Sequence, residues 1–273
     1  MTSRPSAPKV TSAVTVDSAI ESALRWDRFL VICGLLIVIA LSWAYLVAGA
    51  GMSMHEMDGM LMPMRMGPWT PTYAALVVAM WAVMMAAMML PSAAPMILLY
   101  GTMARGRLAR GELTTASSVF ASGYVTVWAI FSLVAATLQF VLEKAALLSP
   151  MMETTSIVFA ATILIAAGLY QWTPLKQACL RRCRSPLEFM MTQWREGRRG
   201  AFVMGLRHGG YCLGCCWLLM LLLFVGGVMN LAWIAGLALF VLVEKLAPAG
   251  HWIGRAAGIG LIMWGGATLT TLW

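Results

Sequence analysis

Residues 73–100 read YAALVVAMWAVMMAAMMLPSAAPMILLY, an unbroken run without a charged side chain. A helix needs about 20 apolar residues to cross the hydrocarbon core of a bilayer, so this stretch predicts a membrane helix. It is long enough to tilt, or to break at Pro91 and Pro95. Comparable apolar runs cover about 29–50, 116–142, 154–172, 209–229, 231–247 and 252–272. The expectation is an all-α polytopic transmembrane helix bundle with about seven spanning helices. Composition agrees: 61% of the 273 residues are hydrophobic and 11% charged, where soluble domains approach a quarter charged. The alternating pattern of a membrane barrel is missing.

Basic residues set the orientation. Of the 19 Lys and Arg residues, all but Arg65 and Lys144 fall before the first run or in the segments after the second, fourth and sixth. The amino terminus is therefore expected in the cytoplasm and the carboxyl terminus outside. The net charge of +8 is mostly this topological signal, and no nucleic-acid partner is inferred. Residues 1–28, rich in Ser, Thr, Ala and Pro, read as a flexible cytoplasmic tail. Residues 29–273 read as one membrane domain with two long connections, an external loop at 51–72 and a basic cytoplasmic loop at 173–200. Ala48-Gly49-Ala50 resembles a signal-peptidase site, but the preceding apolar run is longer than a signal peptide's, which favours a retained helix.

The fifth run opens on His208-Gly209-Gly210-Tyr211-Cys212-Leu213-Gly214-Cys215-Cys216-Trp217. Helical residues three or four apart share a face, so His208, Cys212 and Cys215 or Cys216 can converge on one ion. Thiolate and imidazole ligands favour Cu(I) or Zn(II) over Mg or Ca. Cys179 and Cys183, again four apart, lie among Arg181, Arg182 and Arg184, and neighbouring cations favour the metal-binding thiolate. They are candidates to complete or unload the same site; a reduced thiol pair or a juxtamembrane acylation position is the plainer alternative. Five of the six cysteines map to the cytoplasmic side, where thiols stay reduced, so no disulfide framework is expected. Cys33 reads as packing.

Methionine supplies a second soft ligand: there are 23. Met52, Met54, Met57, Met60, Met62, Met64 and Met66 recur around His55 in the external loop. Thioethers hold Cu(I) where thiols would be oxidised, so Met52, Met54, His55 and Met57 are candidate capture ligands. The competing reading is a membrane-hugging amphipathic loop. In the second run, Met80, Met84 and Met88 form one stripe and Met85, Met89 and Met96 its neighbour. Met84, Met85, Met88 and Met89 suit stepwise transfer of copper, or simple gap-filling beside small alanines. Seven loop methionines tilt the metal to copper, with zinc the lesser choice. Among intramembrane polar groups, Glu244 suits a pair with Arg207 or a proton-accepting role, Lys245 and Arg255 suit interfacial snorkelling, and Gln139 an interhelical hydrogen bond. No P-loop, dinucleotide turn or Ser-His-Asp set is present, so an enzyme is not expected.

Trp81, Met84-Met85-Ala86-Ala87-Met88-Met89-Leu90-Pro91, Tyr170-Gln171, Thr173-Pro174-Leu175-Lys176, Cys179, Cys183-Arg184-Ser185-Pro186 and Gly205 to Trp217 resemble the motifs of a bacterial family of predicted metal-binding integral membrane proteins. That family is catalogued as a domain of unknown function and sometimes labelled a copper chaperone. The resemblance covers roughly residues 70–250 and implies a metal-binding protein of the bacterial inner membrane. The Met-rich loop falls outside it.

Taken with the ligand chemistry, the expected function is Cu(I) binding in copper transport, or in delivery to a membrane cuproenzyme. Expected partners are the lipid bilayer and a copper chaperone, a cuproenzyme or other membrane subunits. Two rivals remain: a non-catalytic subunit of a larger membrane complex, whose Met and Cys serve packing, and a transmembrane thiol-redox relay through Cys212 and Cys215. The relay lacks a thiol partner near the opposite face.

Overall fold

The computed structural model describes residues 11–50, 53–57, 60–64, 69–108, 116–149 and 152–270, with backbone only for 11–28, the strand residues and Leu108. The chain is helical apart from one hairpin and an isolated bridge between Leu148 and Thr154, among the described residues. In order it forms α1 (Thr11–Val47), β1 (Ser53–Met57), β2 (Met60–Met64), α2 (Pro71–Leu108), α3 (Ser117–Lys144), α4 (Ile157–Tyr170), α5 (Pro174–Arg184), α6 (Pro186–Gln193), α7 (Gly197–Leu221), α8 (Leu223–Gly226), α9 (Leu231–Leu246) and α10 (Gly250–Thr270).

Four of these contain stretches long and apolar enough to cross a membrane: Phe29–Val47, Pro71–Arg107, Ser117–Lys144 and Gly197–Gly226. The pair α4 and α5, bent by 64° at its break, makes a fifth if counted as one span. Seven had been expected, and the difference lies in the last two runs. With 16 residues, α9 is about 24 Å long at 1.5 Å per residue, short of a roughly 30 Å hydrocarbon core. In α10, His251, Arg255 and repeated glycines dilute an otherwise apolar helix.

The segments read as loops carry regular structure. The expected basic loop at 173–200 is α5, α6 and the start of α7. Thr173 caps α5, its side chain accepting from the Lys176 amide, with Pro174 at the first helical position, where a missing N–H costs nothing. In the external loop, β1 and β2 pair antiparallel with His55 opposite Met62 and Met57 opposite Met60. Nor does α2 break at its prolines: one helix runs through Pro91 and Pro95. Here Ser92 Oγ and Tyr124 Oη both donate to the Met89 carbonyl, at 2.9 and 3.1 Å. These bonds tie the Met89–Ser92 turn to α3; the carbonyls that the prolines leave without an N–H donor are those of Ala87 and Pro91.

Two glycine crossings set the bundle. Where α3 meets α7, a Cβ on Gly123 would strike the Phe202 carbonyl oxygen, and one on Gly205 the Phe120 carbonyl oxygen. Where α4 meets α10, Gly168 and Gly258 each face the other's carbonyl oxygen. Backbones this close bring helix faces into van der Waals contact, a main source of association within a bilayer. The core between them is rich in Met and aromatic residues, with Trp81, Met84, Met85 and Phe224 fully buried. Gln139 makes the expected interhelical bond, accepting from Trp81 Nε1 at 2.8 Å.

Candidate metal centre

Cys212, Cys215 and Cys216 follow one another along α7 at helical spacing, and all three are buried. Cys215 and Cys216 each donate a thiol hydrogen bond of 3.0 Å back to the Cys212 carbonyl oxygen, a local bond open to small polar side chains inside helices. The Cys183, Cys215 and Cys216 thiols are near enough to the Cys212 thiol to act on it electrostatically. Cys183 comes from α5, brought onto α7 by the sharp bend after α4.

Three other helices complete the surroundings of the Cys212 sulfur. From α9, Lys245 Nζ donates to Cys212 Sγ at 2.8 Å and to Ser92 Oγ of α2 at 3.1 Å. From α3, Tyr124 Oη stands 3.0 Å from Cys212 Sγ. The close crossing at Gly123 and Gly205 places Tyr124 there. Lys245 is a buried residue rather than a snorkelling one, and its last-turn position suits a cation at a helix C-terminus. Neither Lys245 nor Tyr124 was among the residues expected at the site. No motif marks either: they come from helices 88 and 33 residues away in sequence from Cys212.

The candidate ligands divide. Cys183, Cys212, Cys215 and Cys216 come together. His208, one turn before Cys212, is buried among aromatic rings, 5.5 Å from Tyr124, 5.7 Å from Phe189 and 6.2 Å from Phe120 between centroids, and its Nδ1 has no hydrogen-bond partner among the described residues. Cys179, one turn before Cys183 on α5, also packs on α7, its sulfur facing Gly214 and near enough to Cys215 to act on it. Met84, Met85, Met88 and Met89 are buried in α2. Met85 lines a cavity of about 30 Å³ beside Tyr124 and Trp128, and Met89 reaches the centre through its carbonyl. Met54, His55 and Met57 lie in β1, with only their backbone described, and Met52 lies outside the described residues. Among the described residues, no three His, Cys, Asp or Glu side chains already stand in a metal-holding arrangement. The hydrogen bonds explain this: the Cys215 and Cys216 thiols turn to a carbonyl, and Lys245 and Tyr124 engage the Cys212 sulfur.

A second polar group lies beside the first. Glu244, next to Lys245, is expected to pair with Arg207 or to accept a proton; of these the pairing is overturned, for Glu244 pairs with Lys176 of α5, Nζ to Oε1 2.7 Å. Lys176 also donates to Gln171 Oε1, and Arg207 turns to Gln193. The cause is the return of α5 onto α9, which presents Lys176 before Arg207 can reach. Adjacent residues of α9 thus hold α5 through Glu244 and α7 through Lys245.

Helices long and apolar enough to cross a membrane, packed around a group of buried thiols, give the chain the character of a helical membrane protein. The chain belongs to the copper chaperone family PpoB2, whose profile matches residues 78–268. No curated protein and no solved structure matches it. The family match takes in every residue of the centre and excludes the methionine hairpin. Membership ties the protein to copper.

Proposed function

We propose that this protein is a multi-pass protein of the bacterial inner membrane that holds Cu(I) at Cys212, Cys183, Cys215 and Cys216 and delivers it to a membrane cuproenzyme. The observation that carries the reading is the buried Cys212 sulfur with three further thiols beside it. Soft thiolates select a soft monovalent ion, and a water-excluded setting among helices protects Cu(I) from oxidation. The family description, a chaperone, favours delivery over transport. Methionines of the hairpin would collect the ion outside the membrane, the Met84, Met85, Met88 and Met89 stripe would pass it inward, and His208 and Cys179 would flank the centre on entry or exit. This scheme keeps a cytoplasmic amino terminus, with α9 and α10 packed within the bundle.

The test is anaerobic Cu(I) binding by the protein purified in detergent, with Zn(II) as competitor, on wild type and on Cys212→Ser/Cys215→Ser. Tight Cu(I) binding that the double variant loses supports the centre. Undiminished binding by the variant rejects it and leaves the cysteines as packing groups.

A further inference from the structure

Two lysines and one carboxylate are buried next to one another: Lys176, Lys245 and Glu244. Lys176 takes the carboxylate. Among the described residues Lys245 forms no ion pair with a carboxylate; its hydrogen-bond partners are Cys212 Sγ at 2.8 Å and Ser92 Oγ at 3.1 Å. A buried ammonium is costly inside a bilayer unless something of opposite charge accompanies it. Within its hydrogen-bonding shell the group able to become anionic is the Cys212 thiol. Ser92 is held in turn, donating to the Met89 carbonyl, so the ammonium is aimed at the sulfur from a fixed position.

Charge counting then distinguishes metals. With Cys215 and Cys216 keeping their thiol protons on the Cys212 carbonyl, Cu(I) held by the Cys212 and Cys183 thiolates is a complex of charge −1, and one ammonium makes it neutral. Zn(II) held by the same two thiolates is already neutral, and the ammonium leaves the centre at +1. In a low-dielectric surrounding an unbalanced charge is strongly unfavourable. We propose that Lys245 is the built-in counter-cation of an anionic thiolate–Cu(I) complex and sets the preference of the centre for a monovalent over a divalent ion. Its role is to position and compensate the ligand sulfur, without coordinating the metal itself. This rests on the reading of Cys212 and its neighbouring thiols as the copper ligands.

The experiment compares Cu(I) and Zn(II) affinities, by anaerobic competition with chromophoric chelators, for wild type, Lys245→Met, Lys245→Arg and Cys212→Ser/Cys215→Ser. Lys245→Met is expected to weaken Cu(I) about ten- to a hundredfold, the range for losing a hydrogen bond between charged groups. Zn(II) should weaken less or tighten, so that the selectivity ratio falls. Lys245→Arg should restore most of the ratio. If Lys245→Met does not fold, Lys245→Gln, which keeps a donor and drops the charge, reads the same ratio. Equal weakening of both metals, or no change in either while the double cysteine variant loses Cu(I), overturns the role of Lys245 alone. Undiminished Cu(I) binding by the double cysteine variant overturns the thiol site and the inference with it.

Discussion

Lys176 Nζ lies 2.7 Å from Glu244 Oε1 and 2.9 Å from Oε2, with the two side chains 0% and 1% exposed. The pair joins α5 to the end of α9, the two helices that bring Cys183 and Lys245 to Cys212. Removing one partner of a buried ion pair strands the other charge, at a cost of about 3–5 kcal/mol. Glu244→Ala should therefore lower the thermal unfolding midpoint in detergent sharply. Replacing both partners with apolar residues, Lys176→Met/Glu244→Met, should recover much of the loss. A wild-type midpoint for Glu244→Ala would mean that water or another group solvates Lys176.

Tyr124 bridges two helices through one hydroxyl, which donates to the Met89 carbonyl and touches Cys212. Tyr124→Phe keeps the ring beside His208 and removes only the hydroxyl. The expected loss is about 1 kcal/mol, typical of a hydrogen bond exchanged on folding, read as a small drop in unfolding midpoint. Alkylation of Cys212 by a membrane-permeant maleimide should also quicken, because the sulfur loses a neighbour. An alkylation rate equal to wild type would show that Lys245 and the helix packing alone shield it.

What could be read in the chain and what could not divides along the range of the contacts. The spacing of Cys212, Cys215 and Cys216 is a property of one helix, so their shared neighbourhood was legible. Cys183 was legible as a candidate, and helical spacing could not separate it from Cys179; only the way α5 lies on α7 does. Lys245 and Tyr124 carry no local signature, because a lysine ending an apolar run reads as interfacial wherever its helix packs. The prolines of α2 signalled a break, yet one helix runs through both. The hairpin had a signal that was passed over: Asp58-Gly59, a favoured two-residue hairpin dipeptide, separates β1 from β2 in the sequence.

Gly205 sits where α7 presses on α3, and an added Cβ would meet the Phe120 carbonyl oxygen and the Tyr124 amide. These are backbone atoms, which yield little. Gly205→Ala should destabilise the protein by about 1–3 kcal/mol, the range for overpacking, and should displace Tyr124 from Cys212. Gly210, on the same helix, has nothing within 4 Å of an added Cβ. Gly210→Ala should be neutral or gain up to about 1 kcal/mol from helix propensity. Unfolding midpoints of the two variants, measured side by side, check the crossing; equal midpoints would refute it.

Cys179 and Cys183 give the sharpest separation, because they share a helix, a spacing and a basic neighbourhood but not a location. Cys183 acts on the Cys212 and Cys215 thiols, whereas the Cys179 sulfur faces Gly214; both cysteines are partly exposed. If Cu(I) is held by the thiols around Cys212, Cys183→Ser should weaken binding by about tenfold or more, the equivalent of roughly 1.4 kcal/mol. Cys179→Ser should leave the equilibrium affinity within about twofold. The same serine variant can still slow transfer to a chelator added from outside, since Cys179 stands at the edge of α7 where an ion would leave. Anaerobic titration reads the affinity and stopped-flow chelator challenge reads the transfer. A Cys179→Ser protein that loses affinity as fully as Cys183→Ser would place the ion between α5 and the Gly214 face of α7, away from Tyr124 and Lys245.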